Sequence, residues 1–168
     1  MTELNIVYVH GRMNIYLENF LADCGVTKFK KLLRVIKMSY TPPVYVETLR
    51  TYMTEYLENA VDIKSNITTA IRKCDADIEE MEKQLANLIY KRGRVKQQLK
   101  KILTYTTYTS QEYRLTKDSE IQLTTEIKTV RDDLISARVN LKLYISTFKK
   151  IEKNTKNFKK YLELLKDV

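Results

Sequence analysis

The chain has few glycines and prolines, which favour turns, and few cysteines and histidines, which form disulfides or bind metal ions. Its 168 residues include only 3 glycines and 2 prolines. A compact globule of this length needs many turns, so this scarcity predicts few and long elements. The 2 cysteines and 1 histidine cannot supply four zinc ligands at ordinary spacing. We therefore expect no metal and no cofactor, and reduced cysteines in a cytoplasmic protein.

Catalytic and targeting signatures are also missing from the sequence. It contains no P-loop, no glycine-rich dinucleotide turn, no metal-ligand helix motif and no nucleophile elbow. It also contains no signal peptide and no apolar run of the roughly 20 residues that cross a bilayer. We therefore expect a protein that is not an enzyme and has no membrane partner.

Positive charge is what the sequence has in excess. Lys and Arg number 30 against 21 Asp and Glu, which gives a formal net charge of +9. Such an excess favours DNA or another polyanion as the partner. The alternative is a helical protein whose lysines only solvate its surface, and the distribution of charge has to decide between the two.

Two long stretches have the alternating three- and four-residue apolar spacing of a coiled coil. The first begins Leu49, Met53, Tyr56, Ala60, Ile63, Ile67, Ile71 and continues to Ile102. The second runs through residues 123–165. Between them the segment TYTTYT, residues 104–109, consists of mediocre helix formers. The spacing therefore predicts two long helices joined by a loop.

Folding the chain back between Thr107 and Tyr108 brings the two apolar seams together. The facing pairs are then Leu88 with Ile127, Leu85 with Val130, Met81 with Leu134, Ile78 with Ala137 and Cys74 with Leu141. We therefore predict an all-α fold in which residues 44–168 form an antiparallel two-helix coiled-coil hairpin. Its arms lie at about 44–103 and 111–166, and its loop at about 104–110. The same seams also fit a bundle of extended chains from several molecules.

A two-helix hairpin buries only one stripe of each helix. We therefore expect the chain to form a homo-oligomer or to bind a coiled-coil partner protein.

Residues 1–43 are predicted to form a small basic helical head. LNIVYVH, residues 4–10, alternates and is β-branched, which predicts a short β-like arm. NIYLENFLADC, residues 14–24, predicts an amphipathic helix that ends at Gly25. VTKFKKLLRVIKMSY, residues 26–40, predicts a second helix, which two prolines close.

Within the head, CGVTKFKKLLRVI resembles the turn and second helix of helix-turn-helix domains of the lactose-repressor and phage-repressor types. The residues that carry the resemblance are Gly25, Val26, Thr27, Arg34, Val35 and Ile36. The resemblance covers residues 21–49 and implies that Thr27, Lys28 and Lys31 approach bases and phosphates. The sequence departs from the family pattern by one extra residue after Gly25 and by the β-like arm in place of the usual first helix.

Lysines and arginines are concentrated in two segments, one in the second head helix and one near the C-terminus. The second head helix contains Lys28, Lys30, Lys31, Arg34 and Lys37. In the folded hairpin a lysine row at helical spacing returns towards the same end, namely Lys149, Lys153, Lys156 and Lys160. Because lysine rows of this kind can follow a phosphate backbone, we expect these residues and Thr27 to bind nucleic acid.

A third basic cluster surrounds the predicted loop. It contains Arg92, Arg94, Lys100 and Lys101 together with Tyr105 and Tyr108. Aromatic rings among cations can stack on exposed bases, so we expect an interaction at this tip. The alternative is a solvated helix end beside a tyrosine-rich loop. Arg92 takes a seam position, and its expected ion-pair partner is Glu120.

These patterns favour a non-enzymatic DNA-associated protein of a bacterium, phage or mobile element. In this hypothesis the basic head is carried on a coiled-coil hairpin for dimerisation or recruitment. The alternative is a coiled-coil protein-binding adaptor, or a phage-encoded inhibitor of a host protein complex, that does not bind DNA. A scaffold of a viral particle or secretion assembly is a third hypothesis, which polymerisation would reveal.

Overall fold

The described part of the chain is helical. The computed structural model describes residues 20–21, 24–38 and 42–167. It contains three helices, namely α1 at Gly25–Lys37, α2 at Pro42–Ile102 and α3 at Gln111–Leu165. No strand occurs among the described residues, so the predicted all-α class is confirmed for them. The β-like arm predicted at residues 4–10 lies outside them, as does most of the helix predicted at residues 14–24.

The starts of α1 and α2 follow from local residue chemistry. Gly25 has a φ of 68°, a left-handed conformation that glycine adopts without steric cost. Phe20 and Leu21, which precede α1 in the sequence, are also helical. α2 begins at Pro42, slightly before the predicted start. Proline is tolerated in the first turn of a helix because its missing N–H has no partner there.

The connection between α2 and α3 coincides with TYTTYT and its neighbours, residues 103–110. Hydroxyl groups hold this connection together. Ser110 accepts a hydrogen bond from the backbone N–H of Tyr113 at 3.2 Å and so caps the start of α3. The Ser110 hydroxyl also bonds to that of Thr106 at 3.1 Å. The predicted helical hairpin is thus confirmed, with a loop stabilised by its own side chains.

The chain divides into two compact units. Unit 1 comprises Met1–Ile67 and Ser146–Val168, and unit 2 comprises Thr68–Ile145. Unit 1 therefore contains α1 with the start of α2 and the end of α3, and unit 2 contains the loop with the rest of the two long helices.

In unit 2, α2 and α3 pack along the predicted seam. The cluster consists of Leu88, Ile127, Val130 and Leu134, with Ile78, Met81, Leu85 and Leu123 packed against it. Further along, the Cys74 thiol donates a hydrogen bond to the carbonyl of Ala137 at 3.2 Å. Arg138 and Glu82 form an ion pair at 2.7 Å. Later residues of α2 thus contact earlier residues of α3, as an antiparallel pair requires.

Unit 1 has a core of three helices. The buried cluster contains Phe29, Leu32, Leu33 and Ile36 of α1, Val46, Leu49 and Met53 of α2, and Phe158, Tyr161 and Leu165 of α3. The ring of Phe29 stacks on that of Tyr161, with centroids 4.3 Å apart. Phe158 meets Tyr56 edge-on at 4.9 Å. α1 therefore covers a side of α3 that a two-helix seam leaves in solvent.

One predicted seam residue, Ile63, is not buried, because 45% of its surface is exposed. Its neighbour Lys64 turns inward instead. The Lys64 ammonium lies 5.3 Å from the centre of the Phe148 ring and 3.5 Å from Glu152. Two successive four-residue steps, from Ile63 to Ile71, move the seam around the helix here. The lysine ammonium then lies over the face of the aromatic ring, which is a cation–π contact.

Candidate nucleic-acid interface

The solvent side of α1 is strongly cationic, and the apolar Val35 is also exposed there. The term basic face here denotes its exposed polar residues, namely Thr27, Lys28, Lys30, Lys31, Arg34 and Lys37. The other side of α1 is buried in the core of unit 1. The sequence KFKKLLRVIK produces this division because its apolar residues recur at helical steps and its cations fill the positions between them. No acidic residue occurs in α1.

The cations of the basic face form no ion pairs with carboxylates of the other described residues. Within residues 20–21, 24–38 and 42–167, none of its five Lys and Arg side chains contacts a carboxylate at ion-pair distance. The described ion pairs of unit 1 join other residues, namely Arg50 with Glu47 at 2.7 Å, Lys64 with Glu152 at 3.5 Å and Lys166 with Glu163 at 2.8 Å. Among the described residues, no carboxylate therefore competes with an external anion for the basic face.

A second cationic surface lies on α3 in the same unit. Its members are Lys149, Lys153, Lys156 and Lys160, all exposed, and it is here called the lysine stripe. Their four- and three-residue steps place them on one side of α3, away from its buried residues. The helices that carry the two surfaces meet where Phe29 stacks on Tyr161. Lys160 of the lysine stripe is the sequence neighbour of Tyr161, and Lys28 and Lys30 of the basic face are those of Phe29.

Buried contacts fix the start of α1. The thiol of Cys24 donates a weak hydrogen bond to the hydroxyl of Tyr161 at 3.5 Å. Burial, together with this bond, raises the pKa of Tyr161 well above its ordinary value, so the phenol stays neutral. Gly25 follows with its left-handed backbone. Thr27 and Lys28 are then exposed in the first turn of α1.

The loop end of unit 2 contains the third predicted cluster. Its members Arg94, Lys100, Lys101, Tyr105 and Tyr108 are exposed. Arg92 is half-buried, and within the described residues it does not form the predicted ion pair with Glu120. Glu120 bonds instead to Lys117 of its own helix. This hydrogen bond, with smaller effects of the Lys96 and Arg92 charges, lowers the pKa of the Glu120 carboxyl.

Sequence reasoning missed one buried polar residue, Asn154, which is 6% exposed. Its amide donates to the hydroxyl of Tyr56 at 3.3 Å. Its Oδ1 atom has no hydrogen-bond partner among the residues that the structure describes. A signal was available, because Asn154, Phe158, Tyr161 and Leu165 recur at four- and three-residue steps. Phe158 and Leu165 belong to the predicted seam, whereas Asn154 and Tyr161 lie beside it, and Phe29 of α1 stacks on Tyr161.

Comparison with protein-family models, with curated proteins and with solved structures finds no match to this chain. Among the described residues, no helix combines the length and the apolar character needed to cross a membrane.

Proposed function

We propose that this chain is a non-enzymatic DNA-associated protein that docks on the backbone of duplex DNA through the basic face. The observation that carries the proposal is the separation of residue types on α1. Its apolar residues Phe29, Leu32, Leu33 and Ile36 are buried, all its cations are exposed, and acidic residues are absent from it; Val35 is the one apolar residue of α1 that is exposed. Cations that contact phosphates release counterions from DNA, and this release favours binding.

The dimensions of α1 support a groove-sized contact. Its 13 residues extend over roughly 20 Å. A helix of this kind fits the major groove of B-form DNA, where its cations reach the phosphates on either side. The lysine stripe belongs to the same unit and adds further backbone contacts.

The resemblance to helix-turn-helix domains supports a docking mode in which the first turns of α1 face the DNA. Gly25 has the backbone conformation that allows a tight turn before this helix. Thr27, Lys28 and Lys31 are exposed there. In this mode they approach bases and phosphates, and Arg34 contacts the backbone.

A variant carrying Lys28→Glu, Lys31→Glu and Arg34→Glu tests the proposal. We expect its affinity for a duplex of about 30 base pairs to fall at least about 100-fold, measured by fluorescence anisotropy at low salt. The matched control carries Lys128→Glu, Arg131→Glu and Lys142→Glu. It changes the net charge equally at exposed positions of α3 in unit 2.

Circular dichroism should show the same helical content in both variants, because all six positions are exposed. Undiminished duplex binding by the first variant would contradict the proposal. Equal losses in both variants would also contradict it, because net charge rather than the basic face would then cause the binding.

A second candidate function is a protein-binding adaptor without DNA affinity. It is favoured by Ile135, Val139 and Leu143, which form an exposed apolar row at four-residue steps on α3. The same titration separates the two functions, because an adaptor of this kind leaves the duplex unbound even at low salt.

A further inference from the structure

The loop end of unit 2 presents a surface that the proposed duplex contact does not use. Its members are Tyr90, Arg94, Lys101, Tyr105 and Tyr108, here called the tyrosine cluster. The three tyrosines are 64%, 60% and 68% exposed. Ring faces that are exposed to this extent are accessible to an external ligand.

The two tyrosines of the loop are held in place by neighbouring side chains although their rings are exposed. The hydroxyl of Tyr105 donates to the Glu112 carboxylate at 2.7 Å, and this hydrogen bond raises the pKa of Tyr105. The ring of Tyr108 meets that of Tyr113 edge-on, with centroids 5.2 Å apart. Rings that are fixed before binding lose little conformational entropy when a ligand arrives.

A row on α2 continues the cluster. The guanidinium of Arg94 lies 5.9 Å from the centre of the Tyr90 ring. Tyr90, Arg94 and Lys101 follow one another at helical steps on the exposed side of α2. This row is about 16 Å long at 1.5 Å per residue, which suits an extended ligand.

Cations outnumber acidic residues in the sequence around these rings. Glu112 is the only acidic residue between Lys83 and Lys117, and its carboxylate accepts the hydrogen bond from Tyr105. The cations in the same stretch are Lys91, Arg92, Arg94, Lys96, Lys100, Lys101 and Arg114. The cluster therefore suits an anionic ligand.

We propose that the tyrosine cluster binds an unpaired nucleic-acid strand, with phosphates on its cations and bases on its tyrosine rings. Exposed bases stack on aromatic side chains, whereas the bases of a duplex are stacked on each other and do not offer their faces. An acidic polypeptide would use the cations only, because carboxylates are not attracted to the negative face of an aromatic ring. The site is separate from the basic face and is independent of the duplex contact.

The test uses the full chain with the Lys28→Glu, Lys31→Glu and Arg34→Glu changes as background, so that the basic face does not contribute. The probe is fluorescent oligothymidylate of about 15 nucleotides. Adding Tyr105→Leu and Tyr108→Leu removes two rings without changing the charge. We expect binding to weaken at least about tenfold, because stacking on each ring contributes to affinity.

Two further variants separate a specific contact from general attraction. Arg94→Gln with Lys101→Gln should weaken binding and reduce its salt dependence. Lys128→Gln with Lys142→Gln removes the same charge at exposed positions of α3 outside the cluster and should have little effect.

Tyr105→Phe keeps the ring but breaks the bond to Glu112. Binding retained by this variant shows that ring faces, rather than the loop geometry, carry the contact.

Several results would overturn the proposal. The first is unchanged oligothymidylate binding by the double tyrosine variant, and the second is an equal loss in the Lys128 and Lys142 control. A duplex that competes as well as the single strand would also contradict it. If polyglutamate of similar length displaces the probe as effectively as unlabelled oligothymidylate, the surface binds acidic polypeptides instead. Equal thermal midpoints of the variants exclude misfolding as the cause.

Discussion

At the scale of single residues, the two described glycines differ in whether the backbone requires glycine at their position. Gly25 has a φ of 68°, which side chains of L-residues rarely adopt. Gly93 lies within α2, and a Cβ atom added there meets no atom within 4 Å. Only the first position needs glycine, whereas the second gives up helix stability for no contact that the structure shows.

Substituting these glycines by alanine should therefore change stability in opposite directions. Gly93→Ala should raise the free energy of unfolding by about 1 kcal/mol, the difference in helix propensity between the two residues. Gly25→Ala should lower it by about 1 kcal/mol, because alanine is strained at positive φ. Urea unfolding followed by circular dichroism measures both, and a change of the same sign in both variants would contradict this assignment.

Single-residue burial could be predicted where the apolar spacing is regular. Ile127, Val130 and Leu134 are buried as the seam requires. The prediction was wrong for Ile63, where successive four-residue steps move the seam and Lys64 covers the facing ring. The buried Asn154 was missed because a polar residue carries no apolar signal of its own.

At the scale of elements, the beginning of α3 depends on one hydroxyl. Ser110 accepts the hydrogen bond from the Tyr113 N–H at 3.2 Å, so one of the otherwise unpaired N–H groups of the first turn is satisfied. Ser119 lies farther along the same helix, where its hydroxyl donates to the Leu115 carbonyl at 3.2 Å. That carbonyl already belongs to the helical ladder, so α3 does not need the second bond.

Ser110→Ala should therefore lower the free energy of unfolding by about 1 kcal/mol, whereas Ser119→Ala should leave it unchanged or raise it slightly. Thermal unfolding followed by circular dichroism compares the two variants. Equal midpoints would show that the cap does not stabilise α3.

The three helices could be predicted from the sequence because propensity and apolar period agree over long stretches. Their ends were less accurate. α1 ends at Lys37, short of the predicted residue 40, and α2 already includes Pro42. Proline is compatible with both a helix start and a linker, so its position alone does not separate the two.

At the scale of the whole molecule, the net charge of +9 is distributed over surfaces that make different contributions. If the lysine stripe touches the DNA backbone, each of its lysines neutralises a phosphate. Changing Lys149, Lys153, Lys156 and Lys160 together to Gln should then make the logarithm of duplex affinity fall less steeply with the logarithm of salt concentration. The expected decrease in slope is about 3 to 4, since each phosphate contributes about 0.9.

Anisotropy titrations at several salt concentrations measure this slope. An unchanged slope would show that the lysine stripe lies outside the DNA contact. The basic face is tested separately by the variant that carries Lys28→Glu, Lys31→Glu and Arg34→Glu. Circular dichroism provides the structural control, since all four lysines are exposed.

The sequence by itself determined the all-helical class, the loop at TYTTYT and the seam along which α2 and α3 pack in unit 2. These features depend on local propensity and on apolar spacing, which can be read along a single chain. Only the tertiary structure decided that α1 packs with α2 and α3 into the core of unit 1. This packing depends on contacts between residues far apart in the sequence, such as Phe29 with Tyr161. Because it buries the apolar side of α1, it leaves the cations of that helix facing the solvent.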